Sequence, residues 1–512
     1  MRYIQLFLSI IMSVNGLNAA SLDKNNYSIS DFGAIADGKT LNTLAIQQTI
    51  DKASSEGGGR VIVPAGTFLT GCIQLKSNVE LHLLKGAVLL GSTNPYDYFR
   101  PKESSAHKSP KTDDNSELGL ILAVGAENIR LTGFGTIDGQ GLQLALNADS
   151  LHHTGQLVDK NYNYRRMRPS ELVRPKLFRF LECRNIRVRG LELTNSANWG
   201  LSFDLCRNLI LDSLRIINRA YWNNDGIDIT DCRQVHVTNC YIDAADDGIC
   251  LKSYHPDQTN DSIHINGCEI RSSASAVKFG TGSYGGFRNV SIENISVFDT
   301  FRSAIAIESV DGAIIENIRV NNIVAKNTGN AFFIRLGHRD GDVPGKVRAI
   351  HISNMQVDVP FERPDEAYDL RGPEVNFFHN SFPASIAGLP CHPIENVVLE
   401  NITIRYPGRA SKGMAYIPLW DLKRVPEQIK EYPEYSMFGE LPAWGLYVRH
   451  AHDLHLKNIQ FKLTDGDYRP AFVFDDVKNL KMNSIQLSGQ GGHPQYIQNE
   501  AGKLTELKPD NN

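Results

Sequence analysis

The chain of 512 residues is short of the features that most quickly assign a function. After its first 20 residues no apolar run is long enough to span a bilayer, which excludes stable membrane insertion. Charge of one sign is also missing. The 53 basic and 57 acidic residues leave a net charge of −4, which argues against a nucleic-acid coat or a general polyanion binder. None of the 8 cysteines falls in a Cys-x-x-Cys pair or at a histidine spacing that zinc asks for, so neither a metal site nor a cofactor is expected. Helical periodicity is scarce, and the only clear stretch is Asn42 to Ser54, ahead of Gly57-Gly58-Gly59. Leucine-rich and Trp-Asp repeat signatures are absent, which removes horseshoes and propellers.

What is present is a leader and a repeat. Met1-Arg2, an apolar run from Ile4 to Val14 and the small residues that follow read as a signal peptide over residues 1–20. The expectation is an exported protein, periplasmic or extracellular. Residues 21–512 show no composition shift that would mark a second folded domain. One phrase recurs through them, Asn followed by alternating β-branched or leucine residues and then Asn, Gly or Asp. It appears at Cys183–Gly190, Cys206–Ser213, Cys232–Asn239 and Phe287–Asn294. Short alternating strands with Asn and Gly corners, repeating every ~22–30 residues, point to stacked coils. The fold expected is all-β, a single-domain right-handed parallel β-helix. The 42–54 helix would lid its open N-terminal end, because a terminal coil cannot leave its apolar face bare. Cys183, Cys206, Cys232 and Cys240 fall inside the repeat and read as buried free thiols filling the stack. Insertions at about 98–118, 142–172, 359–392 and 405–442, rich in Pro, Tyr, His, Arg and Ser, are expected to wall a cleft.

Two Asp-Gly corners concentrate the chemistry. Asn223-Asn224-Asp225-Gly226 and Asp246-Asp247-Gly248 are about one coil apart, with 21 positions between Asp225 and Asp246. A single Asp-Gly is an ordinary turn former. Two in register, one with a doubled acid, bring three carboxylates within several ångströms at a rung spacing near ~4.8 Å. Like charges so close must titrate unequally, which suits an acid and a base acting on a glycosidic bond. The aromatic Trp222 beside them could stack on a sugar. Asp475-Asp476, without the glycine or a matching acid one coil earlier, reads as a turn.

With these residues in hand the chain resembles glycoside hydrolase family 28, the polygalacturonase family. Asp31-Phe32-Gly33-Ala34, Gly135–Gly141, Arg174-Pro175, Asn198-Trp199, Asn223-Asn224-Asp225 and Asp246-Asp247 carry the resemblance over nearly the whole mature chain. It implies metal-free hydrolysis with inversion, Asp246 as general acid, Asp225 and Asp247 activating water, and Asn223 near the substrate. The partner implied is a galacturonate-containing poly- or oligosaccharide. Two departures stand out. No histidine lies near Ser275-Ala276, where the family has Gly-His-Gly, and Ala306-Ile307-Glu308 stands where the family has Arg-Ile-Lys. Lys278, Arg302 and Arg335 are candidate replacement cations, and Glu308 is a candidate acceptor for sugar hydroxyls. A polysaccharide lyase and a non-catalytic carbohydrate-binding β-helix are the competing readings, since fold alone does not fix function.

Overall fold

The computed structural model describes residues 25–101, 110, 116–365, 380–491, 495–500 and 503–506. The expected signal peptide lies outside them. The described chain winds as a right-handed parallel β-helix in which each strand pairs with the equivalent strand one coil later. One coil comprises Ile227–Thr230, Arg233–Thr238 and Tyr241–Ala244, after which Ile249–Ser253 starts the next. The register runs Leu201, Ile227, Ile249, Val277, Ile305 along one interior column, so similar residue types stack on one another. Among the paired strands of the described residues, only Tyr496–Glu500 with Lys503–Glu506 is antiparallel.

The recurring asparagine makes the corner. Asn128, Asn185 and Asn208 all sit near φ +56°, a left-handed conformation that asparagine tolerates better than most side chains. Each Nδ2 donates to the Oδ1 of the asparagine one coil earlier, at 2.9 Å from Asn185 to Asn128 and 3.0 Å from Asn208 to Asn185. The thiols of Cys183, Cys206 and Cys232 line the interior beside these corners. All eight cysteines are free, and only Cys391 is exposed.

Helix α1, Thr43–Ser55, turns Ile46, Ile50 and Ala53 onto the first coils and closes that end. Its preceding residue, Asn42, makes no side-chain cap. Its amide instead bridges the backbone of Ile35 and Leu69, pinning the helix to the first coil. A second helix, α2 at Gly141–His153, lies within an insertion for which the sequence predicts no regular structure. Its buried residues Leu144, Ala145 and Ala148 form too short an apolar stripe to stand out by period alone.

Candidate active site

Three features of the backbone build the site on one sheet. Ile227 pairs with Ile249, and extending that register two residues back sets Asp225 beside Asp247, not beside Asp246. The Gly226 N–H donates to the Asp247 carbonyl at 2.9 Å. The one-coil offset expected between Asp225 and Asp246 is therefore corrected by a single residue. Asp246 occupies the corner, where it keeps more solvent contact than its neighbours. The glycines after these acids are required by close approach between coils. A Cβ on Gly226 would stand 2.5 Å from the Gly248 carbonyl, and one on Gly248 would stand 2.6 Å from that of Ala276. Neither glycine has positive φ, so the Asp-Gly pattern serves stacking rather than a left-handed turn.

Alternation along the strands then aims Asp228, Cys250, Lys252, Lys278 and Glu308 at the same face. A carboxylate oxygen each from Asp225 and Asp247 and the Cys250 Sγ lie within 4.8 Å of one another. Two ammonium groups hold this cluster. Lys252 Nζ is 3.2 Å from Asp225 Oδ2, 2.8 Å from Asp228 Oδ1 and 3.0 Å from Cys250 Sγ. Lys278 Nζ is 3.1 Å from Asp247 Oδ2 and 3.0 Å from the Tyr432 hydroxyl. The three ligand-type atoms could in principle take a soft cation, but both lysines already supply the positive charge there.

The acids titrate far apart. Burial, reinforced by the charges of Asp225 and Asp247, raises the Asp246 carboxyl to about 7. Burial pushes Asp247 the same way, but Lys278, Lys252, Arg302 and the Ser275 N–H outweigh it and hold Asp247 below the usual carboxylate range. Asp225 is raised well above that range by burial and by Asp228. At neutral pH the cluster therefore presents one group able to give a proton beside one able to accept it.

Next along the face lies a mixed-charge subsite. Arg302 forms an ion pair with Glu434, and Tyr432 stands over Lys278. Both Tyr432 and Glu434 come from the 405–442 insertion. Glu308 Oε2 is buried without a hydrogen-bond partner, and burial raises the Glu308 carboxyl to about 8. Beyond Glu308 the insertion packs Leu422, Val425, Tyr435 and Phe438 onto Phe333 and Tyr447, which covers the next coil of that face.

The other expected contacts fall elsewhere. Arg335 is Glu308's register neighbour, yet its guanidinium turns away and donates to the carbonyls of Ala387, Gly388, Glu427 and Gln428 at 2.8–3.4 Å. It anchors the insertion and is not a free cation in the cleft, because four carbonyls saturate its two terminal nitrogens. Trp222 lies beneath Arg168 and Arg166, whose guanidinium carbons stand 4.1 and 5.3 Å from the ring centroid, so that face is not open to a sugar. Asn223 sits at φ +56° with its Oδ1 held by Arg174 at 2.9 Å, and it sets the turn that presents Asp225. Asp228, Cys250 and Lys252 escape the motif reading of the sequence, although their period-two spacing after each Asp-Gly is a signal that finds them. Tyr432 and Glu434 carry no such signal, being loop residues at least 185 positions away from the acids.

Residues 55–359 match the model for glycosyl hydrolases family 28. The chain belongs to that family. The family 28 chain is 25% identical to a probable polygalacturonase of Vitis vinifera over 421 residues, 77% of each protein. To the exo-poly-alpha-D-galacturonosidase of Dickeya chrysanthemi it is 32% identical over 250 residues, 43% of this chain and 41% of that one. Its fold is shared with the hyperthermoactive exopolygalacturonase from Thermotoga maritima, with a TM-score of 0.60 at 24% identity, covering 75% of this chain and 87% of that one. This family 28 protein is a glycosidase.

Proposed function

We propose that this glycosidase is exported and hydrolyses galacturonate-containing, pectic polysaccharide or oligosaccharide by an inverting acid/base mechanism. The observation that carries the reading is the opposed titration of Asp246 and Asp247 on one rigid face. Asp246, protonated up to about pH 7, gives its proton to the glycosidic oxygen as the bond breaks. Asp247, kept ionised by Lys278, takes a proton from the water that attacks the anomeric carbon from the opposite side. Asp225, tethered by Lys252, orients that water. Lys252 and Lys278 tune these acids.

The packing of the 405–442 insertion on Phe333 and Tyr447, next along the face from Glu308, supports attack from a chain end. The subsite there favours a sugar other than unsubstituted galacturonate. Its two cations are already paired, Lys278 with Asp247 and Arg302 with Glu434, so a substrate carboxylate would have to displace an acid. Glu308, neutral at pH 7, supplies hydrogen bonds to hydroxyl groups instead.

The test is a panel of homogalacturonan and rhamnogalacturonan fragments, with the released sugar and its anomeric configuration followed by NMR. The expected result is a product of inverted configuration and a higher kcat/KM where galacturonate is joined to a neutral sugar. Product of retained configuration would overturn the mechanism, and an unsaturated product would make the protein a lyase. Faster cleavage of the unbranched acid polymer would overturn the subsite reading.

A further inference from the structure

Round the corner from the cleft, on the strand that follows each cleft strand, one outward row runs through nine successive coils. In register it reads Glu127, Arg184, Arg207, Arg233, Asp261, Arg288, Glu316, Arg348, Glu395. Signs alternate along most of it, as stable stacking demands, because like charges directly opposite one another on neighbouring strands destabilise a sheet. Acids and bases accordingly pair across rungs, with Arg184 and Glu127 at 2.9 Å, Arg288 and Asp261 at 2.9 Å, and Arg348 and Glu316 at 2.6 Å. The alternation fails at one place. Arg184, Arg207 and Arg233 follow one another on three successive coils.

These three arginines line a groove of about 360 Å³. Arg184 has Glu127 at its end of the strip, whereas Arg207 and Arg233 have no acid within ion-pairing distance among the described residues. Two acids share the groove. Asp231 is turned inward, accepting from Ser253 Oγ and from the Tyr254 and His255 N–H groups, and Glu182 lies towards the Arg184 end. The Arg207–Arg233 half therefore presents two guanidinium groups about 5 Å apart along the stack. The coils concerned are those that carry Asp225 and the strand before it, so the strip runs parallel to the cleft and beside it.

We propose that Arg207 and Arg233, with Arg184, form an accessory binding strip for a polyuronate, holding successive carboxylates of the polymer outside the cleft. A guanidinium fork matches a carboxylate in geometry as well as charge, and a row of them matches a linear polymer that repeats a carboxylate on every residue. The strip lets the protein retain a long chain while one part of it is in the cleft. The proposal rests on the pectic reading for the identity of its ligand, but not on turnover.

Affinity electrophoresis of the full-length protein in gels containing polygalacturonate, dextran sulfate or neutral galactan tests it, with Arg207→Ala/Arg233→Ala beside wild type. Wild type is expected to be retarded by polygalacturonate and not by galactan. The double variant should lose at least threefold in apparent affinity for the polymer, while kcat/KM on the shortest hydrolysed oligosaccharide stays within twofold. Equal retardation of variant and wild type overturns the strip. So does retardation by dextran sulfate as strong as that by polygalacturonate, which would show general polyanion capture. A parallel fall on the short oligosaccharide also overturns it, since the residues would then act on the cleft. Should wild type bind polygalacturonate through the strip yet hydrolyse no pectic substrate, the proposed function fails and the strip stands.

Discussion

The same sheet buries charge at the cleft and again near its C-terminal end, and of these two regions only the first is built for chemistry. At the far end Arg335 is 1% exposed and Arg449 8% exposed, as deeply buried as the cleft lysines. Arg335 ends on backbone carbonyls. Arg449 ends on Glu427 at 2.7 Å and Asp475 at 3.1 Å. Asp475 also accepts from Asn499, and Asp476 turns the chain at φ +55°. Burial lowers the pull of Arg335 on its proton, and the Glu427 charge opposes that, but Arg335 faces no group that must change charge. In the cleft three acids compete around two lysines, and the result is a split in proton affinity. Burial of charge is common to both regions. What separates them is whether the partners cancel the charge with fixed groups or leave acids of unequal strength facing one another.

The two regions differ most at Asp246. Asp246→Asn should lower kcat on a pectic oligosaccharide by about 10²–10⁴-fold, the usual worth of a general acid, with the melting temperature little changed. Retention of half the wild-type rate would move Asp246 out of the cleft chemistry and make the two regions alike.

Lys278→Met should separate the two regions through pH. Asp246 must carry its proton, so wild-type activity should fall as pH rises through about 7. Asp247 must be ionised, so activity should also fall on the acid side, below the depressed value that Lys278 maintains. Removing Lys278 raises the proton affinity of Asp247, and the acid limb of the kcat/KM profile should move up by about one pH unit or more. An acid limb that stays in place would show that Lys252 and Arg302 alone hold Asp247 down.

At the far end the matching change should touch stability instead. Arg335→Met strips four carbonyls of their donor, and the cost in chemical denaturation should be about 3 kcal/mol, with faster proteolysis within residues 405–442. Its pH profile should keep the wild-type shape. A shifted profile would mean that Arg335 reaches the acids after all.

The smallest effect expected is none. EDTA should leave the rate within experimental error, because Lys252 and Lys278 already neutralise the cluster of Asp225, Asp247 and Cys250. Loss of activity restored by a divalent cation would require the lysines to swing aside.

Much of the coil and of the acid cluster is legible in the order of residues alone. A period of alternating residues closed by asparagine specifies a coil, because asparagine accepts the left-handed corner and its amide bonds to its counterpart one coil away. The doubled acid and its Asp-Gly partner locate the acid cluster to within one residue of the true register. That last residue escapes because register is set by interior pairing, Ile227 on Ile249, and not by the spacing of the acids themselves. The helix at 141–153 escapes because its few buried residues, of which only Leu144 is large, give no clear period.

The β-helix, its helical lid and the approach of Asp225, Asp246 and Asp247 are encoded in the order of residues, since they depend on local periodicity and on stacking that repeats. Which cations serve the acids follows from long-range packing. Arg335 and Lys278 are alike in sequence as strand cations beside the site, and the difference arises where the 405–442 insertion lands. Its carbonyls take the Arg335 guanidinium, and its Tyr432 and Glu434 finish the subsite around Lys278 and Arg302. A loop's landing place depends on contacts between distant parts of the chain, which no local pattern encodes.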